Sequence, residues 1–282
     1  MGYHERVILL AFKMSVAELA RKVKEADDAY RIGAPIMTDW KYDQLEEELR
    51  RIAPEHPHFA GDPVVLLGLQ KNNKHTFNEW YMQLPGRPVM VVQPKIDGIA
   101  IALRYVDGKL VEAFTKQNRC VLDWVKSVAA VPRQLKRKTR GMVEVHGEMW
   151  GLPKDSQDKR TPQSIAAVSA KYNVEKGLRS RFAAYGLLGS LDNESKTMED
   201  LRRYGFEVPD TYVCTKPSEV RKLYTQWLEG HVSEKQPYNT KLFKGWPTDG
   251  VVAKIFDQKL QRKLGASKCP NWAIALKANG IG

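Results

Sequence analysis

The chain has 282 residues, room for one large domain or for a main domain with an appendage. Its 43% hydrophobic and 28% charged residues are ordinary for a soluble globular protein. Three cysteines far apart in sequence (Cys120, Cys214, Cys269) exclude a zinc knuckle and a disulfide framework and suit a reducing cytoplasm.

The net charge of +12 is partly clustered, as at Arg133, Lys136, Arg137, Lys138 and Arg140. Clustering favours a polyanionic partner over a merely solvated surface, because basic side chains gain affinity by displacing counterions from phosphates. The apolar run Val7 to Phe12 is too short to span a bilayer and no small-residue cleavage site follows it, so neither export nor membrane insertion is expected.

Residues 15–58 read as a helical hairpin. Ser15 with Glu18 forms a capping box, and Leu19, Val23, Ala26 and Tyr30 follow at helical spacing. Gly33-Ala34-Pro35 breaks that helix. Thr38 or Asp39 then caps a second one with the apolar stripe Tyr42, Leu45, Leu49 and Ile52. Two domains are expected, a small helical one over 1–60 and a larger one over 61–282.

From about residue 88 the apolar period changes to two. Ile99 to Tyr105 and Lys109 to Thr115 flank Asp107-Gly108, a strong hairpin signal. Val143 to Trp150, Phe182 to Leu188 and Gly250 to Phe256 are further strand candidates. Helical stretches intervene around 121–130, 163–171, 196–204 and 217–229. Hairpin strands mixed with helices predict an α+β fold of antiparallel sheets flanked by helices.

The first chemical motif is Lys95-Ile96-Asp97-Gly98. Desolvation and nearby cations both enlarge the neutral, nucleophilic fraction of a lysine, and Gly98 would let a nucleotide approach the backbone closely. Taken alone, Lys-x-Asp-Gly also suits an ordinary turn. Glu144 and Glu148 alternate along one strand and so face one side. Asp249-Gly250-Val251-Val252-Ala253-Lys254 and Trp272-Ala273-Ile274-Ala275-Leu276-Lys277 each place a lysine in an apolar strand. That is costly unless an anion pairs with it. Lys95, Lys254 and Lys277 together predict a shared anion, a phosphate being the natural one.

As an ordered set these segments, with His146-Gly147-Glu148, Leu264-Gly265 and Pro270-Asn271-Trp272, resemble the nucleotidyltransferase motifs of NAD-dependent DNA ligases. Tyr30, Ala34-Pro35 and Thr38-Asp39-x-x-Tyr42-Asp43 resemble that family's helical segment for the nicotinamide mononucleotide (NMN) half of NAD. The resemblance covers roughly residues 17–277. It implies a nucleotidyltransferase fold preceded by a small helical domain, with NAD and magnesium as cofactors and no zinc.

The resemblance also implies roles. Lys95 would attack the AMP phosphorus. Lys254 and Lys277 would bind the phosphate and stabilise transition-state charge. Glu148 would engage the ribose or a hydrated magnesium ion, with Asp97 also reaching the metal through water. Tyr185 would stack on adenine and Gln93 would contact it. Lys116, Leu69 and Asp249 complete the cofactor-binding set, and Tyr30, Asp39, Tyr42 and Asp43 would hold the mononucleotide.

Several positions depart from the family pattern. Gln93 replaces a glutamate, Lys116 an arginine, and His146 the arginine of Arg-Gly-Glu. Arg31 replaces a histidine, and Thr161-Pro162-Gln163-Ser164 lacks the usual arginine. These point to a divergent member, such as a viral one, and the domains that would follow in the family imply either a catalytic fragment or a ligase split over two chains. The partners implied are nicked duplex DNA and a second chain carrying the oligonucleotide-binding and C-terminal domains that would follow in the family. The rival expectations are a non-catalytic nucleic-acid-binding protein on the same fold and an ATP-dependent DNA or RNA ligase.

Overall fold

The computed structural model describes residues 14–31, 36–53, 66–72, 74–155, 157–172, 179–188, 192–234, 242–266 and 269–278. The chain divides into two compact units, Met1–Pro63 and Val64–Gly282.

In the first unit lie α1 (Val16–Arg31) and α2 (Asp39–Ile52). The Ser15 amide and hydroxyl both donate to Glu18 Oε2 at 3.0 Å, completing the capping box. Thr38, not Asp39, caps α2, its hydroxyl accepting from the Lys41 amide at 3.4 Å. Leu19, Ala20, Val23, Leu45 and Leu49 pack into one apolar cluster, with Tyr42 and Ile52 partly buried against it. The Gly33-Ala34-Pro35 break lies outside the described residues.

The second unit runs β1 (Gln70–Asn72), α3 (Lys74–Met82), β2 (Met90–Ile96), β3 (Ile99–Val106), β4 (Lys109–Thr115), α4 (Leu122–Ser127), β5 (Met142–Gly151), α5 (Pro162–Tyr172), β6 (Ser180–Leu187), α6 (Glu194–Tyr204), β7 (Tyr212–Cys214), α7 (Pro217–Glu234), β8 (Thr248–Ile255), α8 (Gln258–Leu264) and β9 (Ala273–Lys277). One sheet has the order β1-β9-β8-β2-β7 and the other β4-β3-β5-β6. Every pairing is antiparallel except β1 with β9. This is the α+β architecture that the period-two strands predict.

Each sheet buries one face under helices, as strand alternation requires. Met90, Val92 and Ile96 of β2 and Val251, Ala253 and Ile255 of β8 meet Tyr224 and Trp227 of α7. Leu103 and Tyr105 of β3 and Val145 and Met149 of β5 meet Trp124 of α4 and Met198 and Leu201 of α6. The β3–β4 hairpin turns at Asp107-Gly108, both with positive φ (49° and 80°), as a tight hairpin turn demands. Among the described residues no helix is long and apolar enough to cross a membrane.

The predicted strands and helices form with boundaries shifted by a few residues. The second strand of the unit runs on to Ile96, so Lys95 lies inside a strand. Four short elements were not predicted: β1, α3, β7 and α8.

Candidate active site

The site is built on the face of each sheet opposite its main apolar core. On the first sheet, alternation puts Gln93 and Lys95 of β2, Val252 and Lys254 of β8, and Ala275 and Lys277 of β9 opposite the core face.

Pro94 pairs with Val251 and Ile96 with Thr248, so the register slips by one residue between them. Asp249 and Gly250 of β8 thus oppose Lys95 alone, the arrangement of a β-bulge. Regular alternation would have put Asp249 on the core side with Val251 and Ala253. The bulge releases it to the other face, while the Thr248 hydroxyl accepts from Trp227 Nε1 at 2.7 Å on the core side. Pro94 fits here because it has no amide to lose from the ladder.

Asp249 is the meeting point of the site. Its Oδ1 accepts from Lys95 Nζ at 2.7 Å and its Oδ2 from Lys277 Nζ at 2.5 Å. Burial works to raise the Asp249 pKa, but the two ammoniums outweigh it and hold the carboxyl below its usual range. Both lysines and the aspartate remain partly solvent-accessible.

Two further carboxyls face this group. Burial, then the charge of Asp249, raises the Asp97 pKa, although its carboxyl accepts a hydrogen bond from the Gln163 amide at the start of α5. Burial pushes the Glu148 carboxyl up to about 8 against the pull of Lys95. Glu148 also accepts from the Tyr185 phenol, whose pKa is raised by its own burial and by Glu148.

Gly98 admits a close approach, but by the protein's own chain. A Cβ there would lie 2.4 Å from the Met149 carbonyl oxygen and 2.7 Å from Glu148 Cγ. The glycine lets β5 carry Glu148 up to the Lys95 end of β2.

The geometry divides the three lysines predicted to share an anion. Lys95 and Lys277 share Asp249, but Lys254 does not join them. Lys277 pairs with Gly250 and Lys254 with Ala273, so the two lie four residues apart along the ladder, about 13 Å. The Lys254 ammonium is buried, 2.6 Å from Glu194 Oε2, and donates to the Tyr185 carbonyl at 3.1 Å. Glu194 had no motif to mark it. An acidic residue in a first helical turn reads simply as a match to the helix dipole.

The pairing of Glu144 with Glu148 on one strand face also divides. Glu144 is held away from the site, 2.7 Å from Arg104 Nε and 2.6 Å from His146 Nε2.

Gln93 is buried and donates its amide to Thr211 Oγ1 at 2.8 Å and Met198 Sδ at 3.4 Å. Lys116 is exposed and sits beside Gly68, its Nζ 2.6 Å from where a Gly68 Cβ would be. Of the four residues expected to hold a mononucleotide, Tyr42 is half-buried on α2, and the side chains of Tyr30, Asp39 and Asp43 lie outside the described residues. Among the described residues no group of three His, Cys, Asp or Glu side chains is placed to hold a metal directly. The partly exposed carboxyls of Asp97 and Glu148, both disfavoured as anions, suit a hydrated hard cation that would neutralise them.

The geometry can position a phosphate against an amine with an adjacent proton acceptor. The family model for the NAD-dependent DNA ligase adenylation domain matches residues 69–194 and 164–280. The chain is 32% identical over 300 residues to DNA ligase 1 of Nocardia farcinica, covering 93% of this chain and 43% of that protein. It is 28% identical over 304 residues to a DNA ligase of Herpetosiphon aurantiacus, covering 88% and 44%. The chain thus spans less than half the length of these relatives. Among solved structures it is similar to a putative ATP-dependent DNA ligase from Aquifex aeolicus, with 12% identity, a TM-score of 0.43, and coverage of 72% of this chain and 46% of that one.

Proposed function

Because this chain belongs to the NAD-dependent DNA ligase adenylation-domain family, we propose that it takes AMP from NAD onto Lys95. The observation that carries this reading is the convergence of Lys95 and Lys277 on the two oxygens of Asp249.

In the proposed step, the uncharged Lys95 amine attacks the adenylyl phosphorus of NAD. An N–P bond forms, and the P–O bond to the mononucleotide breaks. NMN leaves with that electron pair, and the proton shed by the amine passes to Asp249. Lys277 trades its contact with Asp249 for the phosphate and balances charge as the phosphorus becomes five-coordinate. Asp97 and Glu148 hold the ribose side and, through water, a magnesium ion that supplies neutralisation of the phosphates.

The resemblance of residues 30–43 to the mononucleotide-binding segment favours NAD over ATP as donor. Tyr30, Asp39, Tyr42 and Asp43 are the proposed contacts. The AMP would then pass to the 5′-phosphate of a DNA nick. The oligonucleotide-binding and C-terminal domains that the resemblance implies are the proposed complement for sealing, whether on the same chain or another.

Incubation with NAD and magnesium, followed by intact mass measurement, tests the proposal. An AMP adduct that Lys95→Ala abolishes and that releases NMN is the expected result. An adduct formed from ATP with release of pyrophosphate would reassign the donor, and no adduct from either would overturn the reading.

A further inference from the structure

Lys254 is a buried cation, its side chain 7% exposed, on the same sheet face as Lys95 yet directed elsewhere. A buried ammonium is costly without a counter-charge. Gln93 on the neighbouring strand is neutral and has its amide donors engaged with Thr211 and Met198. The carboxylate against Lys254 is that of Glu194, whose side chain is 2% exposed at the first turn of α6.

Glu194 is fixed from several sides. Its Oε1 accepts from Gln261 Nε2 at 2.7 Å and from Gln258 Nε2 at 3.5 Å, both on α8. Its amide donates to the Phe256 carbonyl at 2.9 Å, directly after β8. Gln261 also donates to the Ile255 carbonyl, and Gln258 to Thr197 Oγ1 at 2.7 Å. A solvated helix-cap carboxylate would need none of this.

From Lys254 the connection continues into the site. Its ammonium also bonds the Tyr185 carbonyl on β6, in the other sheet, and the Tyr185 phenol bonds Glu148. Lys254 therefore ties one sheet to the other at the residue that holds Glu148.

We propose that Glu194 is a positioning residue: it sets the Lys254 ammonium against the Tyr185 carbonyl and so fixes the Tyr185–Glu148 wall against which the adenosine of the nucleotide packs. This rests on the adenylation reading above. Glu194 touches neither the nucleotide nor Lys95, so its loss acts on nucleotide binding much more than on the chemical step. The Lys95–Asp249–Lys277 group stands about 13 Å along the ladder and keeps its geometry.

The test is Glu194→Gln, Lys254→Met and the double variant, each assayed for initial adenylation rate against NAD concentration, with thermal unfolding in parallel. Glu194→Gln is expected to raise the half-saturating NAD concentration at least tenfold and to lower the saturated rate less than threefold. With Lys254 already methionine, adding Glu194→Gln should change the half-saturating concentration less than twofold, because Glu194 acts through Lys254. That second comparison stands even if the single Glu194 variant does not fold, since the double variant leaves no buried charge unpaired.

A folded Glu194→Gln protein with wild-type half-saturation would overturn the proposal. So would effects of the two substitutions that simply multiply, or a lower melting temperature with unchanged NAD dependence. Absence of the adduct in the unaltered protein overturns the adenylation reading and this inference together, whereas the other outcomes overturn this inference alone.

Discussion

Lys277 Nζ lies 2.5 Å from Asp249 Oδ2, on the oxygen opposite the one that binds Lys95. One carboxylate thus spaces two ammonium groups that would otherwise repel each other. In the proposed adenylation, a nucleotide phosphate entering between them would meet a cation already aimed and, beside Lys95, an acceptor for its proton.

Asp249→Asn separates these duties. The amide keeps the shape but neither neutralises the lysines nor takes a proton. The saturated adenylation rate is expected to fall about 100-fold or more, the usual size of a lost proton acceptor. Binding of anionic NAD should not weaken, because a negative charge has left the site. Single-turnover adduct formation over a range of NAD concentrations reads both. A large rise in half-saturating NAD with an unchanged rate would contradict this assignment.

Glu148 gives the site a pH signature. Burial raises its folded-state pKa to about 8, above the 4.5 of an ordinary glutamate. The folded state therefore binds more protons than the unfolded state between those two values. Its contribution to stability is complete below about 4.5 and is lost as pH rises through about 8. Glu148→Gln cannot ionise and keeps a polar partner for Tyr185. Between pH 6 and pH 9 the wild type should lose at least about 1 kcal/mol more than the variant, or ~2–4 °C in melting temperature. Melting curves at the two pH values decide it, and parallel losses would refute it.

Gly98→Ala should fail for a reason unrelated to turn preference. The new methyl would meet the Met149 carbonyl oxygen at 2.4 Å, and backbone cannot rotate out of its way. Forcing the β2–β3 connection away from β5 should cost about 1–3 kcal/mol or more. Because Glu148 lies on the displaced strand, adenylation should fall by a larger factor than the folded fraction does. Denaturant titration alongside the adduct assay separates the two effects, and an active variant of wild-type stability would disprove the packing argument.

Much of this was legible in the sequence because it is local. Leu19, Val23, Leu45 and Leu49 announce two amphipathic helices through their spacing, and Asp107-Gly108 announces a hairpin through its turn chemistry. The lysines of β2, β8 and β9 stand out because charge in an apolar strand demands a partner. Which partner each takes is non-local. A one-residue slip opposite Lys95 turns Asp249 toward it, and four residues of antiparallel register carry Lys254 away to Glu194. Neither the slip nor the register follows from periodicity, which is blind to how strands align. The packing at Gly98 is non-local too, since the atoms that crowd it come from a strand some fifty residues later.

The pair Arg104–Glu144 carries the last prediction. Both side chains are almost wholly buried, with Arg104 Nε 2.7 Å from Glu144 Oε2, His146 Nε2 2.6 Å from Oε1, and the guanidinium 5.7 Å over the Phe114 ring. Burial alone would raise the Glu144 pKa, but His146 and Arg104 reverse it and hold the carboxyl below the ordinary range. Glu144→Ala removes the closer carboxylate of the buried guanidinium, leaving Glu112 Oε2 3.2 Å from its Nη1, and should cost about 1–3 kcal/mol at neutral pH. A depressed folded pKa stabilises above the unfolded value and ceases to as pH falls through the folded one. The gap between wild type and variant should therefore be widest near pH 7 and close as pH drops below 4.5, the ordinary glutamate value. Adding Arg104→Met to Glu144→Ala should recover part of the loss, because the buried guanidinium that lost its closer partner goes with it. Urea midpoints at pH 7 and pH 4 for the three proteins provide the measurement. A gap that widens in acid, or a double variant less stable than Glu144→Ala, would show that the cluster is held by packing rather than by charge.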